Sequence, residues 1–424
     1  MVKIKGYTSY FSSWGKRSKP WWRKWQVWLF LFLPLLLILT ELTLRGGVWL
    51  FKGEEWLRQR DISIAAAYSL DDRHLQVKPH QLLGYTLLPQ QTSKFWQINE
   101  QGWRSDPVNL SPDPQETRIF LLGNSTAFGY GSNSNQEMLG KDIENFLNQL
   151  VSQQREELAQ RRREFNEFNP PPANLLRIKD TRFRVITTAI PGYASGNNLA
   201  LLTYQVMAFR PAGLIFLEGY EDLRLPSAKT IATLIDTDAL VSQPFSYLWQ
   251  EFTLAIQNWW HSLYLVKFVR KLSGQPAIPA PPLSFYQTFY ADQFASDPQE
   301  VQARVARLVY HWQQVRHISD RTGIPTLLVL QPELSTKNKL TPAEANIWQQ
   351  LGDSYQQRLT LAYQFLEQVQ PQLQVVNLRN LYQDFAETAF TDPIHLTAKG
   401  RQLLAQKIAQ QIVSWFPHDR RKSE

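Results

Sequence analysis

The longest hydrophobic stretch of the chain lies close to its start. Residues 25–44 read WQVWLFLFLPLLLILTELTL and contain a single acidic residue, Glu41. At about 1.5 Å per residue, a helix of this length matches the roughly 30 Å hydrocarbon layer of a bilayer. We therefore predict a transmembrane helix over residues 25–44.

Farther along the chain, short apolar runs alternate with longer patterns of helical period. The predicted strands cover residues 118–122, 183–188, 214–217, 325–330 and 374–378. The predicted helices cover residues 138–168, 198–209, 297–322, 342–369 and 397–415. Strands that alternate with helices in this way favour an α/β fold, in which helices cover both faces of a parallel sheet.

Two regions interrupt the alternation. Residues 45–117 are polar and rich in turn formers, and they form the predicted extracytoplasmic N-terminal region. Residues 225–297 form an insertion, in which an aromatic helical stretch at 245–272 precedes a proline-rich linker at 276–282. The insertion fits a cap over the carboxyl edge of the sheet, where open α/β folds bind ligands. An extra packing layer and a helix that leans on a membrane surface are the alternatives.

The charge distribution assigns an orientation to the predicted span. The net charge is +8, and residues 1–24 contain seven basic residues and no acidic one, which leaves 38 basic and 37 acidic residues in the rest. Positive flanks stay on the cytoplasmic side. We therefore expect a cytoplasmic tail at residues 1–24, a single-pass anchor in the plasma (inner) membrane, and an extracytoplasmic or periplasmic C-terminal domain. A cleaved signal peptide is an alternative, although residues 40–45 contain no A-x-A-like cleavage site.

The composition excludes several functional classes. The chain has no cysteine, which excludes disulfides, zinc sites with thiolate ligands and a cysteine nucleophile. The nearly neutral main part argues against nucleic acid as a partner, because binding to phosphates depends on basic charge. The histidines show no metal-ligand spacing, and we expect no metal and no other cofactor.

A serine occupies the turn after the first predicted strand of the α/β pattern. Residues 123–131 read GNSTAFGYG, with Ser125 where the strand should meet a helix. A hydroxyl at this place is exposed at the sheet edge, and its backbone N–H lies near a helix N-terminus that favours negative charge. The same letters are also typical of an ordinary turn that ends in a helix N-cap.

A candidate base for this serine lies just before the last predicted helix. A serine hydroxyl needs a base to remove its proton, and the base needs an acceptor that fixes its tautomer. Asp392 and His395 are three positions apart and can present both groups toward one point. The other histidines show no comparable partner in the sequence and are interpreted as surface or packing residues: His74, His80, His261, His311, His317 and His418.

The order of these blocks resembles the SGNH (GDSL-like) hydrolase family of esterases and acyl-transfer enzymes. The resemblance covers residues 118–415, apart from the insertion, and implies a flavodoxin-like α/β/α domain over residues 118–424. It implies that Ser125 is the nucleophile, His395 the general base and Asp392 its orienting acid. Asn124 replaces the aspartate that usually precedes the nucleophile. Segments 99–104 and 331–332 are similar to elements of membrane-anchored members.

The resemblance also implies an oxyanion hole, and one of its positions departs from the family. Residues 190–193 look like the second block, in which the N–H of Gly192 would join the N–H of Ser125. The third block is G-x-N-D in the family, but this chain has Glu221 in place of the asparagine donor. Three outcomes stay open: burial protonates Glu221, Glu221 turns away while Asn197 or Asn198 substitutes, or hydrolysis is weak or absent.

These residues predict a membrane-anchored, extracytoplasmic serine esterase or acylhydrolase. By the same resemblance, its expected substrates are acyl esters such as O-acetyl groups on a cell-surface or exported polysaccharide. An O-acyltransferase acting on the same substrate class is one alternative. A catalytically silent SGNH-like protein that binds a glycan or a partner is the other, and Glu221 is its main support.

The predicted topology can be tested by fusing alkaline phosphatase after Glu424 in the full chain. We expect an active phosphatase, because the basic flank of residues 1–24 should hold the N-terminus in the cytoplasm. The same fusion with residues 25–44 deleted is the control and should be inactive. A cytoplasmic reporter in the intact fusion would contradict the orientation.

Overall fold

A computed structural model describes most of the main part of the chain. The described residues are 25–50, 75, 77–93, 95–161, 165, 177–233, 263, 265–266, 268, 293–369 and 374–417. The predicted tail at 1–24 and most of the predicted insertion at 225–297 lie outside them. The chain forms two compact units, Met1–Tyr68 with Pro244–Ala280 and Ser69–Gln243 with Pro281–Glu424.

In the first unit, helix α1 (Trp25–Leu50) includes the whole predicted span. Glu41 is the one acidic residue in the predicted span. Its carboxylate accepts hydrogen bonds from Arg45 Nε at 2.9 Å and from the backbone N–H of Leu265 at 2.9 Å. Within the described part of the chain, no helix combines the length and the apolar character that crossing a membrane requires. The membrane role of residues 25–44 stays a prediction.

The second unit is built on a sheet of five parallel strands. These strands are β3 (Glu116–Gly123), β4 (Arg182–Thr187), β5 (Gly213–Glu218), β6 (Thr326–Leu330) and β7 (Val376–Asn377). They pair in the spatial order β4-β3-β5-β6-β7. Counted along the chain this order is 2-1-3-4-5, the flavodoxin-like order. The predicted parallel α/β sheet is therefore confirmed.

Helices follow the strands and cover the sheet. They are α2 (Ser125–Phe128), α3 (Leu139–Gln160), α4 (Ser195–Tyr204), α5 (Tyr220–Arg224), α6 (Pro298–Thr322), α7 (Pro342–Val369) and α8 (Ala398–Ile412). Helix α8 packs on α3, whereas α6 packs on α4 and α7. The central strands β3 and β5 are buried almost throughout. This burial explains their continuous apolar runs, since both faces of a parallel sheet are covered.

Some element ends differ from the sequence prediction. The helix predicted over 138–168 ends at Gln160, and the strand predicted over 374–378 covers only Val376–Asn377. Gln374 has φ of 51°, a left-handed conformation that an extended strand excludes. Helix α7 spans the predicted residues but is interrupted at Gly352, whose φ is 73°.

Residues before the first sheet strand contribute to the same core. Strands β1 (Val77–His80) and β2 (Gly84–Leu87) form an antiparallel hairpin. The Trp103 ring contacts that of Phe120 on β3 with 6.0 Å between centroids, and both residues are fully buried. The weakly patterned region before residue 118 thus completes the hydrophobic core that supports the sheet.

A fully buried ion pair fixes the loop that precedes Asp392. Lys337 and Glu344 are paired with no exposed side-chain surface. Glu344 also accepts hydrogen bonds from the backbone N–H groups of Ala389 at 2.8 Å and Phe390 at 3.2 Å. Burial alone would raise the pKa of Glu344, but the hydrogen bonds from Lys337 and from its other donors outweigh burial and hold the pKa below its ordinary value.

We predict that Glu344→Ala lowers the free energy of unfolding by about 3–5 kcal/mol, because it leaves the Lys337 ammonium buried without its partner. The measurement is urea denaturation of the full chain in detergent. The matched control is Glu387→Ala, which removes an exposed partner of Lys399 and should cost about 0–1 kcal/mol. Equal costs for the two variants would contradict the structural role of the buried pair.

Candidate active site

Ser125 lies at the carboxyl end of the central strand β3, as predicted. Gly123 ends the strand with φ of 153°, and a Cβ atom there would come within 2.5 Å of the carbonyl oxygen of Leu217 on β5. Only glycine fits this close approach. Asn124 then caps helix α2 by accepting a hydrogen bond from Thr126 N at 3.0 Å. The turn places Ser125 at the helix N-terminus, but only 2% of its surface is exposed, in contrast to the exposed hydroxyl that the sequence predicted.

Asn124 has a second contact that requires an amide and not a carboxylate at this position. Its Nδ2 donates to Oε1 of Gln331, the residue after strand β6, at 2.6 Å. An aspartate at this position would keep the helix cap but would have no N–H to donate. The amide therefore connects the nucleophile turn to the end of β6.

Asp392 and His395, predicted to act as orienting acid and general base, are in direct contact. Asp392 Oδ2 lies 2.6 Å from His395 Nδ1, and its Oδ1 accepts hydrogen bonds from the backbone N–H groups of His395 at 2.8 Å and Ile394 at 3.0 Å. Burial alone would raise the pKa of Asp392, but His395 and these hydrogen bonds outweigh burial and lower it. A charged Asp392 requires a proton on Nδ1, so that Nε2 of a neutral His395 is the basic nitrogen.

The structure brings this pair to the nucleophile turn. Thr126 Oγ1 donates to the carbonyl oxygen of Ile394 at 3.2 Å, and the rings of Tyr130 and His395 are 5.0 Å apart. His395 Nε2 is buried and has no hydrogen-bond partner in the described part of the chain. Ser125 and His395 are thus on adjoining loops without a direct hydrogen bond, as is common in free enzymes.

The loop that contains Gly192 adjoins the same turn. Ile190 N donates to Gly123 O at 3.2 Å, and Tyr85 OH donates to Pro191 O at 2.7 Å. Gly192 follows with φ of 80°. Among the described residues, neither Ser125 N nor Gly192 N has a protein acceptor. Two unsatisfied N–H groups on adjoining loops are suited to bind a developing oxyanion.

Glu221, at the departure from the family pattern, is neutralised by a neighbour. Both of its carboxylate oxygens lie 3.0 Å from Nη1 of Arg224, one turn later on α5, and both side chains are buried. Burial raises the pKa of Glu221, and the nearby charges of Arg224 and His395 oppose this effect without cancelling it. Glu221 therefore points to a cation within its own helix.

The two asparagines predicted as substitutes are engaged elsewhere. Asn197 Nδ2 donates to the carbonyl oxygens of Leu83 at 3.0 Å and Ala232 at 2.9 Å. Asn198 Nδ2 donates to Glu218 Oε1 at 2.8 Å. Both residues are fully buried on α4. Their amides hold the fold together, and this arrangement does not favour either as an oxyanion donor.

His311, interpreted from sequence as a surface or packing residue, is buried and has polar partners. Ser195 Oγ lies 2.7 Å from His311 Nδ1 and 2.5 Å from Asp222 Oδ1. With Asp222 charged, the one proton of the hydroxyl goes to the carboxylate, and His311 Nδ1 then donates to Ser195. This order differs from an activated serine, in which the histidine accepts. The contact joins α4, α5 and α6, and no sequence spacing could reveal it.

Arg104 is a further residue whose role the sequence did not show. It is fully buried, and its Nη1 donates to the carbonyl oxygens of Phe128 at 3.2 Å and Gly129 at 2.7 Å, at the end of α2. Burial, and secondarily the charge of Arg401, lower the pKa of Arg104 to about 9. In the sequence, Arg104 was marked only by its place in the segment 99–104, which resembles an element of membrane-anchored family members.

Among the described residues, no group of histidine and acidic side chains could hold a metal ion.

Comparison with known proteins gives a fold likeness only. No family model and no curated protein matches the chain. Similar solved structures include an acetyl xylan esterase, with 9% identity, a TM-score of 0.31, and coverage of 70% of this chain and 99% of that one. A lipase/acylhydrolase from Enterococcus faecalis has 11% identity, a TM-score of 0.32, and coverage of 71% and 97%. A GDSL-like lipase from Bacteroides thetaiotaomicron has 11% identity, a TM-score of 0.28, and coverage of 72% and 90%.

Glu218 makes a pH-dependent contribution to the stability of the folded chain. Its carboxyl group accepts hydrogen bonds from Asn198 Nδ2 at 2.8 Å and Trp312 Nε1 at 2.7 Å. Burial, and secondarily the charge of Asp222, raise the pKa of Glu218 to about 8. The folded state therefore keeps a proton that the unfolded chain releases near the ordinary value of 4.5.

We predict that the Glu218 contribution to stability is complete below its unfolded pKa and is lost as the pH rises toward its folded pKa. The free energy of unfolding of the full chain, measured with urea from about pH 5 to about pH 9, should fall less steeply in Glu218→Gln than in the wild type. Glu387→Gln, at an exposed carboxylate, is the control and should keep the wild-type slope. An unchanged slope in Glu218→Gln would contradict the raised pKa.

Proposed function

We propose that this chain is a serine esterase or acylhydrolase, with Ser125 as nucleophile, His395 as general base and Asp392 as its orienting acid. The observation that supports this most directly is the buried, unpartnered Nε2 of His395 beside the Ser125 turn, with Nδ1 held 2.6 Å from Asp392. A histidine in this state is ready to accept a proton from a neighbouring hydroxyl.

In the first half of the proposed reaction, Ser125 Oγ attacks the acyl carbonyl while His395 Nε2 takes the hydroxyl proton. The tetrahedral oxyanion accepts hydrogen bonds from Ser125 N–H and Gly192 N–H. His395 then returns the proton to the leaving alcohol, and the acyl group stays on Ser125. In the second half, water gives a proton to Nε2 and attacks the acyl carbonyl. The bond between the acyl carbon and Ser125 Oγ then breaks, Oγ takes the proton back from Nε2, and the acid leaves.

Glu221 affects the electrostatics of this reaction, although it donates no hydrogen bond to the oxyanion. Its pairing with Arg224 removes most of the repulsion that an isolated carboxylate would exert. Glu221 and His395 attract one another when both are charged, so this carboxylate would also favour the imidazolium that forms in each half-reaction. The proposed oxyanion hole has two backbone donors and lacks the third, the asparagine amide. We therefore expect a rate about 10²–10³ below that of an enzyme with all three donors.

The proposal includes anchoring by residues 25–44 and an extracytoplasmic site. Five consecutive apolar residues of α1, from Leu35 to Leu39, are each about half exposed. Such a patch is unfavourable in water and suits a hydrocarbon environment. An anchored enzyme on the outer side would meet O-acetyl esters of cell-surface or exported polysaccharides, the substrate class that the family resemblance suggested.

We predict that the full chain in detergent is labelled by a fluorophosphonate probe and hydrolyses 4-nitrophenyl acetate. Ser125→Ala should abolish labelling, and Asp392→Asn should lower turnover by about 10⁴, because it favours the wrong tautomer of His395. The matched control is Ser354→Ala, at an exposed position of α7, which should keep both activities.

Two other outcomes would change the assignment. A wild type that neither labels nor turns over, with activity that appears only in Glu221→Asn, would replace the esterase with the silent binding protein. Acetyl transfer to an added oligosaccharide that exceeds hydrolysis, and that is lost in Ser125→Ala, would assign the O-acyltransferase.

A further inference from the structure

A small cavity with four polar side chains in a mainly apolar wall adjoins the proposed oxyanion hole. Its volume is about 210 Å³. Gly192 contributes to its wall, and the charged and amide side chains around it are Glu221, Arg224, Gln293 and Arg304. Leu225 and neighbouring small residues form its apolar side. Because Gly192 belongs both to this wall and to the proposed oxyanion hole, a substrate held at Ser125 would extend part of its structure into the cavity.

Arg304 is held rigidly in the wall of this cavity. Its Nε donates to Glu300 Oε1 at 2.7 Å, and its Nη1 donates to three carbonyl oxygens: those of Leu223 at 2.8 Å, Arg224 at 3.0 Å and Gln293 at 2.8 Å. Its Nη2 has no acceptor in the described part of the chain. The side chain is only 8% exposed, so the two N–H groups of Nη2 belong to a preorganised guanidinium beside the cavity.

The carboxylate that anchors Arg304 is satisfied by other donors. Glu300 accepts hydrogen bonds from Ser227 N at 2.8 Å and Ser227 Oγ at 2.5 Å. Burial alone would raise the pKa of Glu300, but the hydrogen bonds from Ser227 and Arg304 together outweigh burial and lower it to about 2. Glu300 therefore stays charged and fixes Nε, whereas the Nη2 side of Arg304 is left for a ligand.

The second arginine of the cavity differs from the first. Arg224 is paired with both oxygens of Glu221 and donates through Nε to Gln293 Oε1 at 3.1 Å. Its charge is thus balanced inside the cavity. Glu221 is the other half of this pair, so the two side chains together add little net charge to the wall.

We propose that this cavity binds a carboxylate of the substrate through Arg304 Nη2, so that the esters hydrolysed are those of an acidic, uronate-containing glycan. This inference rests on the proposed function and specifies its substrate class. A guanidinium N–H pair binds a carboxylate oxygen by charge-assisted hydrogen bonds. The apolar side of the cavity provides a surface for the ring, and the Glu221 carboxylate is an acceptor for ring hydroxyls.

The first experiment measures binding and does not require catalysis. Isothermal titration calorimetry of the full chain in detergent uses tri-galacturonate as the acidic probe, with xylotriose as its neutral counterpart and glucose 6-phosphate as the dianionic one. We expect tri-galacturonate to bind best and to lose about tenfold in affinity in Arg304→Gln. Arg321→Gln removes an exposed charge from the same helix and should bind like the wild type.

The second experiment measures hydrolysis. With O-acetylated oligogalacturonate, Arg304→Gln should raise KM about tenfold, whereas its KM for 4-nitrophenyl acetate, which has no carboxylate, should change much less. Arg304→Lys keeps the charge but not the planar pair of N–H donors. Its KM for O-acetylated oligogalacturonate should lie between those of the wild type and Arg304→Gln. Thermal unfolding of each variant identifies one that has lost its fold.

The outcomes separate this inference from the proposed function. Equal binding of tri-galacturonate and xylotriose, or equal loss of both ester activities in a folded Arg304→Gln, would overturn the carboxylate site. Preference for glucose 6-phosphate would overturn it in favour of a phosphate ligand. Binding of tri-galacturonate that depends on Arg304 in a chain without esterase activity would support the cavity and reject the proposed reaction.

Discussion

The register of the parallel strands determines the geometry of the candidate site. Gly123 of β3 pairs with Leu217 of β5, and Glu218 of β5 pairs with Leu330 of β6. The residues that follow each strand therefore leave the sheet side by side. Backbone hydrogen bonds continue this pairing into the loops, from Ile190 N to Gly123 O and from Gln331 N to Glu218 O. A shift in register would separate the nucleophile turn from the Gly192 loop.

The sequence was most informative where local pattern and chemistry coincide. The buried central strands require continuous apolar runs, and the turn at Gly123 requires glycine, so both left clear signals. Asp392 and His395 are only three residues apart, and their pairing depends on one local turn. The fold and the acid–base pair were therefore predictable without any knowledge of long-range contacts.

Contacts between distant segments could not be predicted in this way. Arg104 donates to the carbonyl oxygen of Gly129 at the end of α2. His311 is hydrogen-bonded to Ser195, which is 116 residues away in the chain. Their partners include backbone atoms and common polar residues, which have no distinctive spacing. The short edge strand β7 was overestimated for a related reason, since the left-handed Gln374 that delays its start has no clear sequence signature.

Glu221 shows how a local pair can change the meaning of a motif. Considered alone, a carboxylate in place of an amide donor argues against oxyanion binding, because it removes a donor and adds repulsion. In the structure, Arg224 lies one turn later on the same short helix and neutralises that charge. The substitution therefore removes a donor but adds little net charge.

The same pair also changes the cavity beside the nucleophile. It leaves Arg304 as the cation whose Nη2 has no acceptor among the described residues, while Glu221 still lies in the wall. In the proposed reaction, a position that would otherwise hold an oxyanion donor thus becomes part of the wall of the proposed carboxylate site. The proposed loss of rate at the oxyanion and the proposed selectivity for an acidic glycan therefore have one structural cause, which is Glu221 paired with Arg224.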